Sequence, residues 1–285
     1  MNILISGAAG FVGSHLCDYL IENGHTIIGI DNLSTGDMKN VHPKVDFHYL
    51  DIFHEPKRIS LLLKDYKPDW VFHEAAQCRT QLSVDDPLQN HDTNITGTLN
   101  MLLAACAAEV KRFIFASSCI VYAPNTPYYV SKLAGEEYCK VFHKLYGLST
   151  ISLRYSNVYG SLRQSEKGSH VNAIASLHKS KRETGRLWIT GDGLQTRDWS
   201  HVTDVCRANL LAAQSDINGV FDISTGVSTS MNEIAKYFDC PIDYVPDRLG
   251  DAKHLSEQQT PIPAELAFGY KAEILLGLES MKPYL

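Results

Sequence analysis

The sequence predicts an α/β protein: a doubly wound parallel sheet with a smaller C-terminal lobe. Three observations predict it. Short apolar runs of strand length alternate with helical patterns, a glycine-rich turn joins the first run to the first helix, and the alternation stops after Gly160.

The runs are Asn2–Ser6, Thr26–Asp31, Val45–Asp51, Trp70–Ala76, Arg112–Ser118 and Ser149–Tyr155, each rich in Ile, Val, Phe or Tyr. In the first intervening helix Val12, Leu16 and Leu20 share a face, and Gly24 is placed to end it. Pro56 suits the first turn of a second helix. Asn94–Glu109 is apolar nearly all round, which predicts a helix covered on two sides. A further helix opens near Tyr128 and ends at Gly147. Strands alternating with helices in this way lie parallel, joined by crossovers. Beyond Gly160 a polar segment, "SLRQSEKGSH", breaks the rhythm. Gly219–Thr225 is one more strand able to return to the sheet, and Pro241, Pro246, Pro261 and Pro263 mark an irregular tail. The expected division is residues 1–160, with 196–226 returning to them, against a substrate-binding lobe of 161–195 and 227–285. Ligands of such sheets sit at the carboxyl ends of the strands, so the cleft is expected between the lobes.

Composition excludes several function classes. A formal charge of −6 opposes a nucleic-acid surface. Seven scattered cysteines without a C-x-x-C pair predict reduced thiols in a cytoplasmic protein, with neither a disulfide framework nor a metal site. No apolar run approaches the roughly 18 residues of a membrane span. Strand-like residues begin at Asn2, so no signal peptide is expected.

The turn "SGAAGFVG" places Gly7, Gly10 and Gly13 three apart, directly after the first strand. Gly7 allows the tight turn, Gly10 lets a pyrophosphate approach the backbone, and Gly13 lets helix pack on strand. The helix N-terminus then offers amide donors to phosphates. Asp31 ends the next strand, 18 residues beyond Gly13. A carboxylate there accepts from ribose hydroxyls and repels a 2′-phosphate, which favours NAD over NADP. Asp51 and Ile52, after the third strand, are candidates to meet the adenine, although an aspartate ending a strand is also common.

Ser117 and Ser118 end the fifth run, and Tyr128 and Lys132 open the following helix, i to i+4 on one face. Tyr129 is a rival, since i and i+3 also meet. A free tyrosine has a pKa near 10, so working at neutrality requires roughly 4 kcal/mol of differential stabilisation. The expectation is that the Lys132 ammonium and a positive nicotinamide ring supply it. The phenolate then takes a proton from a sugar hydroxyl while hydride leaves the same carbon.

An ordered series of motifs now carries a resemblance over nearly the whole chain: "GAAGFVG", "DNLSTG", "HEAAQ", "SVDDP", "NITGTLNML", "ASSCIVY", "YYVSKLAGEEY", "RYSNVYG", "GDGLQTRDWSHVTDV" and "RLGD". The chain resembles the extended short-chain dehydrogenases/reductases, and among them the UDP-glucose 4-epimerase group of nucleotide-sugar enzymes. The resemblance implies a Rossmann sheet, and it selects Tyr128 over Tyr129 as the base and Ser118 over Ser117 as its partner. It implies an NAD site lined by Phe11, Val12, Asp31, Asn32, Asp51, Ile52, Ala75, Ala76, Gln77, Asn94, Lys132 and Tyr155. Asn157, Arg197 and Arg248 would hold the diphosphate of the substrate, where guanidinium forks suit phosphate. It also implies a homodimer joined through the helices of "TLNMLLAACAAE" and "VSKLAGEEYCKVF".

Three departures stand out. Only Ala123–Pro127 separate Tyr122 from Tyr128, a shorter loop than the family's, and Ser156 replaces its aromatic. The acid pair of the related dehydratases is Cys119 and Ile120 here, and isoleucine transfers no proton. The expected reaction is therefore NAD-dependent epimerisation at C4 of a nucleotide-diphosphate sugar through a transient 4-keto sugar. A 4,6-dehydratase or a non-catalytic NAD- or nucleotide-sugar-binding protein is the alternative.

Overall fold

The apolar runs form strands, and a seventh joins them. In the computed structural model, which describes residues 1–161, 163–164 and 172–246, the strands are β1 (Asn2–Ser6), β2 (Thr26–Asp31), β3 (Asp46–Tyr49), β4 (Trp70–His73), β5 (Arg112–Ser118), β6 (Thr150–Tyr155), β7 (Asn157–Tyr159), β8 (Leu187–Thr190), β9 (Thr196–His201), β10 (Gly219–Ile223), β11 (Ser228–Ser230) and β12 (Ile242–Val245). The central sheet has the order β10-β6-β5-β4-β1-β2-β3, with every pair parallel. The chain winds outward from β1 to β3 and then returns to β4 on the other side of β1. The order reverses between β1 and β4, where such sheets open a crevice.

Helices cover both faces: α1 (Phe11–Glu22), α2 (Pro56–Tyr66), α3 (Thr80–Asp85), α4 (Pro87–His91), α5 (Gly97–Ala107), α6 (Pro127–Tyr146), α7 (Ala173–Thr184), α8 (Val202–Gln214) and α9 (Met231–Ala235). One core joins α1 and α8 to the sheet through Leu16, Leu20, Val205 and Ile151. The opposite core joins α2, α5 and α6 through Leu63, Met101, Phe113 and Phe142. Pro56 opens α2, and Gly24 and Gly147 follow α1 and α6 with positive φ. Thr126 caps α6 by accepting from the Tyr129 amide, and Pro127 takes the first helical position. The short loop is therefore a turn ending in a helix cap.

α5 is covered on two sides, as its apolar pattern predicts. It packs on α2 and α6, but Leu103 is half-exposed, so one apolar face stays uncovered in the single chain. Arg112, only 4% exposed, explains why β10 returns to the sheet. Its guanidinium donates to Ala212 O, Ser215 Oγ, Ile217 O and Asn218 Oδ1, gripping the link between α8 and β10.

A third core gathers Tyr159, Ile174, Leu177, Leu187, Trp199, Met231 and Phe238 beside a three-stranded sheet, β11-β9-β7, and a two-stranded one, β12-β8. Tyr159 and Trp199 come from segments assigned by sequence to the first lobe. Among the described residues no helix is long and apolar enough to cross a membrane, and no cluster of His, Cys, Asp or Glu stands ready to hold a metal. All seven cysteines are unbridged.

Candidate active site

A cleft of about 610 Å³ opens at the carboxyl ends of β1, β2, β4, β5 and β6. Gly7, Gly10, Phe11, Val12 and Gly13 form its floor at one end. Gly7 has φ +76°, a conformation natural to glycine, and a Cβ on Gly13 would stand 2.1 Å from the Gly7 carbonyl oxygen. Gly10 is different. Its φ of −76° suits any residue, and an added Cβ would meet only the Gly7 oxygen, at 3.1 Å. The fold itself asks little of Gly10, so the space above it fits a cradle for a phosphate-bearing ligand.

The Asp31 carboxylate accepts from the amides of Ala9 at 3.0 Å and Leu33 at 2.7 Å, which fixes it at the cleft wall. Asn32 and Ile52 also line the cleft. Asp51 stands one layer back, against the expectation. It accepts from Asn32 Nδ2 at 2.7 Å and from the amides of Phe53 and His54. Partial burial opposes its charge, but these hydrogen bonds outweigh burial and hold its pKa below the usual value. Ala75, Ala76 and Gln77 line the middle of the cleft. Asn94 lies behind them, in a widened helical turn between α4 and α5. Its amide clamps the Gln77 backbone in both directions, at 2.7 and 2.9 Å, and donates to Ser131 Oγ. It shapes the wall without being part of it.

At the other end Ser118, Tyr128, Lys132 and Tyr155 all line the cleft. Tyr129 does not, and its amide is spent on the helix cap. Ser117 donates to Glu136 Oε1 at 2.5 Å, leaving Ser118 as the hydroxyl that faces the Tyr128 phenol. Ser83, missed in the sequence, accepts from the Tyr128 amide at 3.1 Å and fixes the first turn of α6.

The electrostatics correct one expectation. Burial, reinforced by Cys78, pushes the Tyr128 phenol well above its ordinary pKa, and only the hydrogen bond with Ser118 opposes the rise. Lys132 does not bring it down. Its amine donates to the Ala116 carbonyl at 2.6 Å and lies 5.8 Å from the Tyr128 ring centroid. Burial lowers the amine itself to about 8, against Cys78, Glu74 and Glu136. Without further positive charge, burial favours the neutral phenol.

Behind β5 a buried network holds this corner. Arg154 donates to both oxygens of the fully buried Glu136, at 2.8 and 2.7 Å. It also donates to the Tyr122 hydroxyl at 2.9 Å, and Tyr122 in turn donates to Asp222. Glu136 lies one turn beyond Lys132, on the same buried face of α6 as Tyr128 and Lys132. Glu74 is a second wall residue that the sequence did not single out.

Asn157 lines the cleft and donates to the Asp198 carbonyl at 3.2 Å, and Arg197 lines it beside Trp199. Arg248 lies outside the described residues. Cys119 and Ile120 face the cleft, and the Cys119 thiol donates to the Arg154 carbonyl at 3.5 Å.

Comparison with known proteins agrees with this geometry. The model of the NAD dependent epimerase/dehydratase family matches residues 3–224. The UDP-glucose 4-epimerase of Mycolicibacterium smegmatis is 33% identical, over 97% of this chain and 95% of its own. The UDP-glucose 4-epimerase of Thermotoga maritima, solved with UDP-glucose, superposes with a TM-score of 0.86 at 33% identity, covering 100% of this chain and 99% of its own. A UDP-N-acetylglucosamine 4-epimerase of Methanobrevibacter ruminantium, in complex with UDP-N-acetylmuramic acid, gives 0.88 at 30%, with the same coverage. The Thermus thermophilus UDP-glucose 4-epimerase, in complex with NAD, gives 0.88 at 28% and covers 100% of both chains. The chain belongs to the NAD dependent epimerase/dehydratase family.

Proposed function

We propose that this protein epimerises a UDP-sugar at C4. The observation that carries the reading is the convergence of Ser118, Tyr128 and Lys132 on the cleft floored by Gly7, Gly10 and Gly13. Gly10, Phe11 and Val12 would hold the pyrophosphate of NAD, Asp31 the adenosine ribose, and Lys132 and Tyr155 the nicotinamide end. NAD, when bound, would supply the hydride-accepting and hydride-returning chemistry at the sugar C4.

The residues of the chain move the proton. Tyr128 receives the C4 hydroxyl proton, and Ser118 holds that oxygen in line. Burial opposes a phenolate, so Tyr128 needs added positive charge within the cleft before it can act as base. A bound, oxidised nicotinamide would supply it. Asn157 and Arg197 would bind the diphosphate. Cys119 and Ile120 offer no competent acid for water elimination, which favours epimerisation over dehydration.

The assignment of 161–195 and 227–285 as the substrate-binding lobe belongs to the same proposal. So does a homodimer. Leu103 on α5 and Val130, Val141 and Leu145 on α6 are exposed apolar residues on the two helices named for it. Sedimentation of Val141→Asp and Leu145→Glu variants as monomers would support that interface.

The deciding experiment incubates purified protein with UDP-glucose and, separately, UDP-N-acetylglucosamine. Appearance of the C4 epimer is expected. A stable 4-keto product points to a dehydratase, and no turnover with retained NAD points to a binding protein.

A further inference from the structure

We propose that Glu74 is a charge-balancing residue of the cofactor pocket: its carboxyl is ionised while the bound nicotinamide is oxidised, and takes up one proton from solvent when the ring is reduced. The Tyr155 hydroxyl is its hydrogen-bonded link to the cleft. The inference rests on the NAD reading above.

Glu74 follows β4 directly, and its amide donates to the Ser6 carbonyl across the point where the strand order reverses. Glu74 is among the residues that line the cleft. Glu74 Oε1 accepts from the Tyr155 hydroxyl at 2.9 Å, and that hydroxyl accepts in turn from Asn209 Nδ2 at 2.7 Å. Asn209 is tied to α8 through the Val205 carbonyl, so the chain from helix to carboxyl is rigid. The titratable groups around Glu74 are Tyr155 on β6, Lys132 on α6, Cys17 on α1 and Cys206 on α8. Burial keeps both thiols un-ionised, so Lys132, reaching the strand ends from α6, is the cation that acts on Glu74. Burial also pushes the Glu74 carboxyl up to about 7, against the opposing effects of Tyr155 and Lys132. A carboxyl so balanced responds to one further positive charge in the same cleft. An oxidised ring favours the carboxylate; its reduction removes that charge, and burial then favours the acid.

The proton and electron balance is simple. Hydride, with its electron pair, leaves the sugar C4, and the C4 hydroxyl proton goes to Tyr128. The proton on Glu74 comes from water, outside the reaction. By linkage, pH must then shift the relative affinity for the two cofactor forms.

The test measures NAD affinity by calorimetry and NADH affinity by fluorescence, from pH 5.5 to 7.5, on wild type, Glu74→Gln and Tyr155→Phe. In wild type the NAD-to-NADH affinity ratio is expected to rise about tenfold over this range, one pKa unit's worth of coupling. Glu74→Gln keeps an acceptor for Tyr155 and loses the rise, changing less than about twofold. Tyr155→Phe keeps the rise but moves it to higher pH, because the lost hydrogen bond had favoured the carboxylate. A flat ratio in wild type, or the same rise in Glu74→Gln, overturns the proposal while NAD binding stands. Failure of wild type to bind either form overturns the cofactor reading itself.

Discussion

The two ends of the cleft are built from different materials. The nucleotide end is backbone: a glycine turn, the first amides of α1, and a carboxylate pinned by the amides of Ala9 and Leu33. The chemical end is made of titratable side chains, the buried Tyr128 and Lys132 of α6 and the half-buried Glu74 just after β4, braced by Tyr155 and Ser83. At the first end, function follows from local chain geometry. At the second, it follows from which charges share a low-dielectric space. A substitution at the first end should therefore trade fold against binding, and one at the second should trade rate against pH.

The sharpest test of that contrast is Tyr128→Phe, which is expected to lower turnover by about 10³-fold, the scale of positioned proton transfer. NAD affinity should stay within about threefold, since no phosphate contact is lost. A comparable fall in affinity would show that the two ends are not separable. Gly13→Ala is the counterpart at the nucleotide end. Its Cβ would meet backbone at 2.1 Å, so a loss of about 3 kcal/mol is expected in chemical denaturation. Near-wild-type stability would mean that the strand–helix contact yields easily.

A smaller effect separates Glu74 from its surroundings. The folded protein holds its proton from the ordinary carboxyl range up to about 7, whereas the unfolded chain releases it near 4.5. Between these values the native state binds more protons, so this group's stabilisation is full below about 4.5 and is lost as pH rises through 7. Relative to wild type, Glu74→Gln should gain on the order of 2 kcal/mol at pH 8 compared with pH 4.5. A pH-independent difference in denaturation midpoint would contradict the burial of this carboxyl.

The same division governs what the sequence could tell. The strands and the glycine turn are written locally, in apolar runs of strand length and in spacings of three, so they are readable without coordinates. Tyr128 and Lys132 are one helical turn apart, and Ser118 ends a recognisable strand; that much is readable too. What the spacing misjudged is the environment. Whether an ammonium acts on a phenol depends on where its hydrogen bonds go, and Lys132 gives one to Ala116 from a neighbouring strand. Asn94 in its motif and Asp51 at a strand end read in sequence as ligand residues, yet their polar atoms are used to hold Gln77 and the turn after Asp51. Glu136 and Glu74 lie inside the motifs "YYVSKLAGEEY" and "HEAAQ", but a motif does not say which groups a glutamate meets in the fold. Both owe their roles to partners far along the chain, Arg154 for one and Tyr155 for the other.

Gly10→Ala isolates the smallest and most informative difference. Gly7 and Gly13 are required by the turn itself, and a side chain at either would collide with backbone before any ligand arrived. At Gly10 the backbone is ordinary, and the single close atom is the Gly7 oxygen at 3.1 Å. An alanine there should cost the fold less than about 1 kcal/mol, with some return from reduced unfolded-state entropy. If the position is kept open for a pyrophosphate, the methyl occupies the space that ligand needs, and NAD affinity should fall about tenfold, or 1.4 kcal/mol. The two readings then part cleanly. Lost stability with unchanged affinity makes Gly10 a folding residue like its neighbours, whereas lost affinity with unchanged stability makes it the one glycine of the three that exists for the ligand.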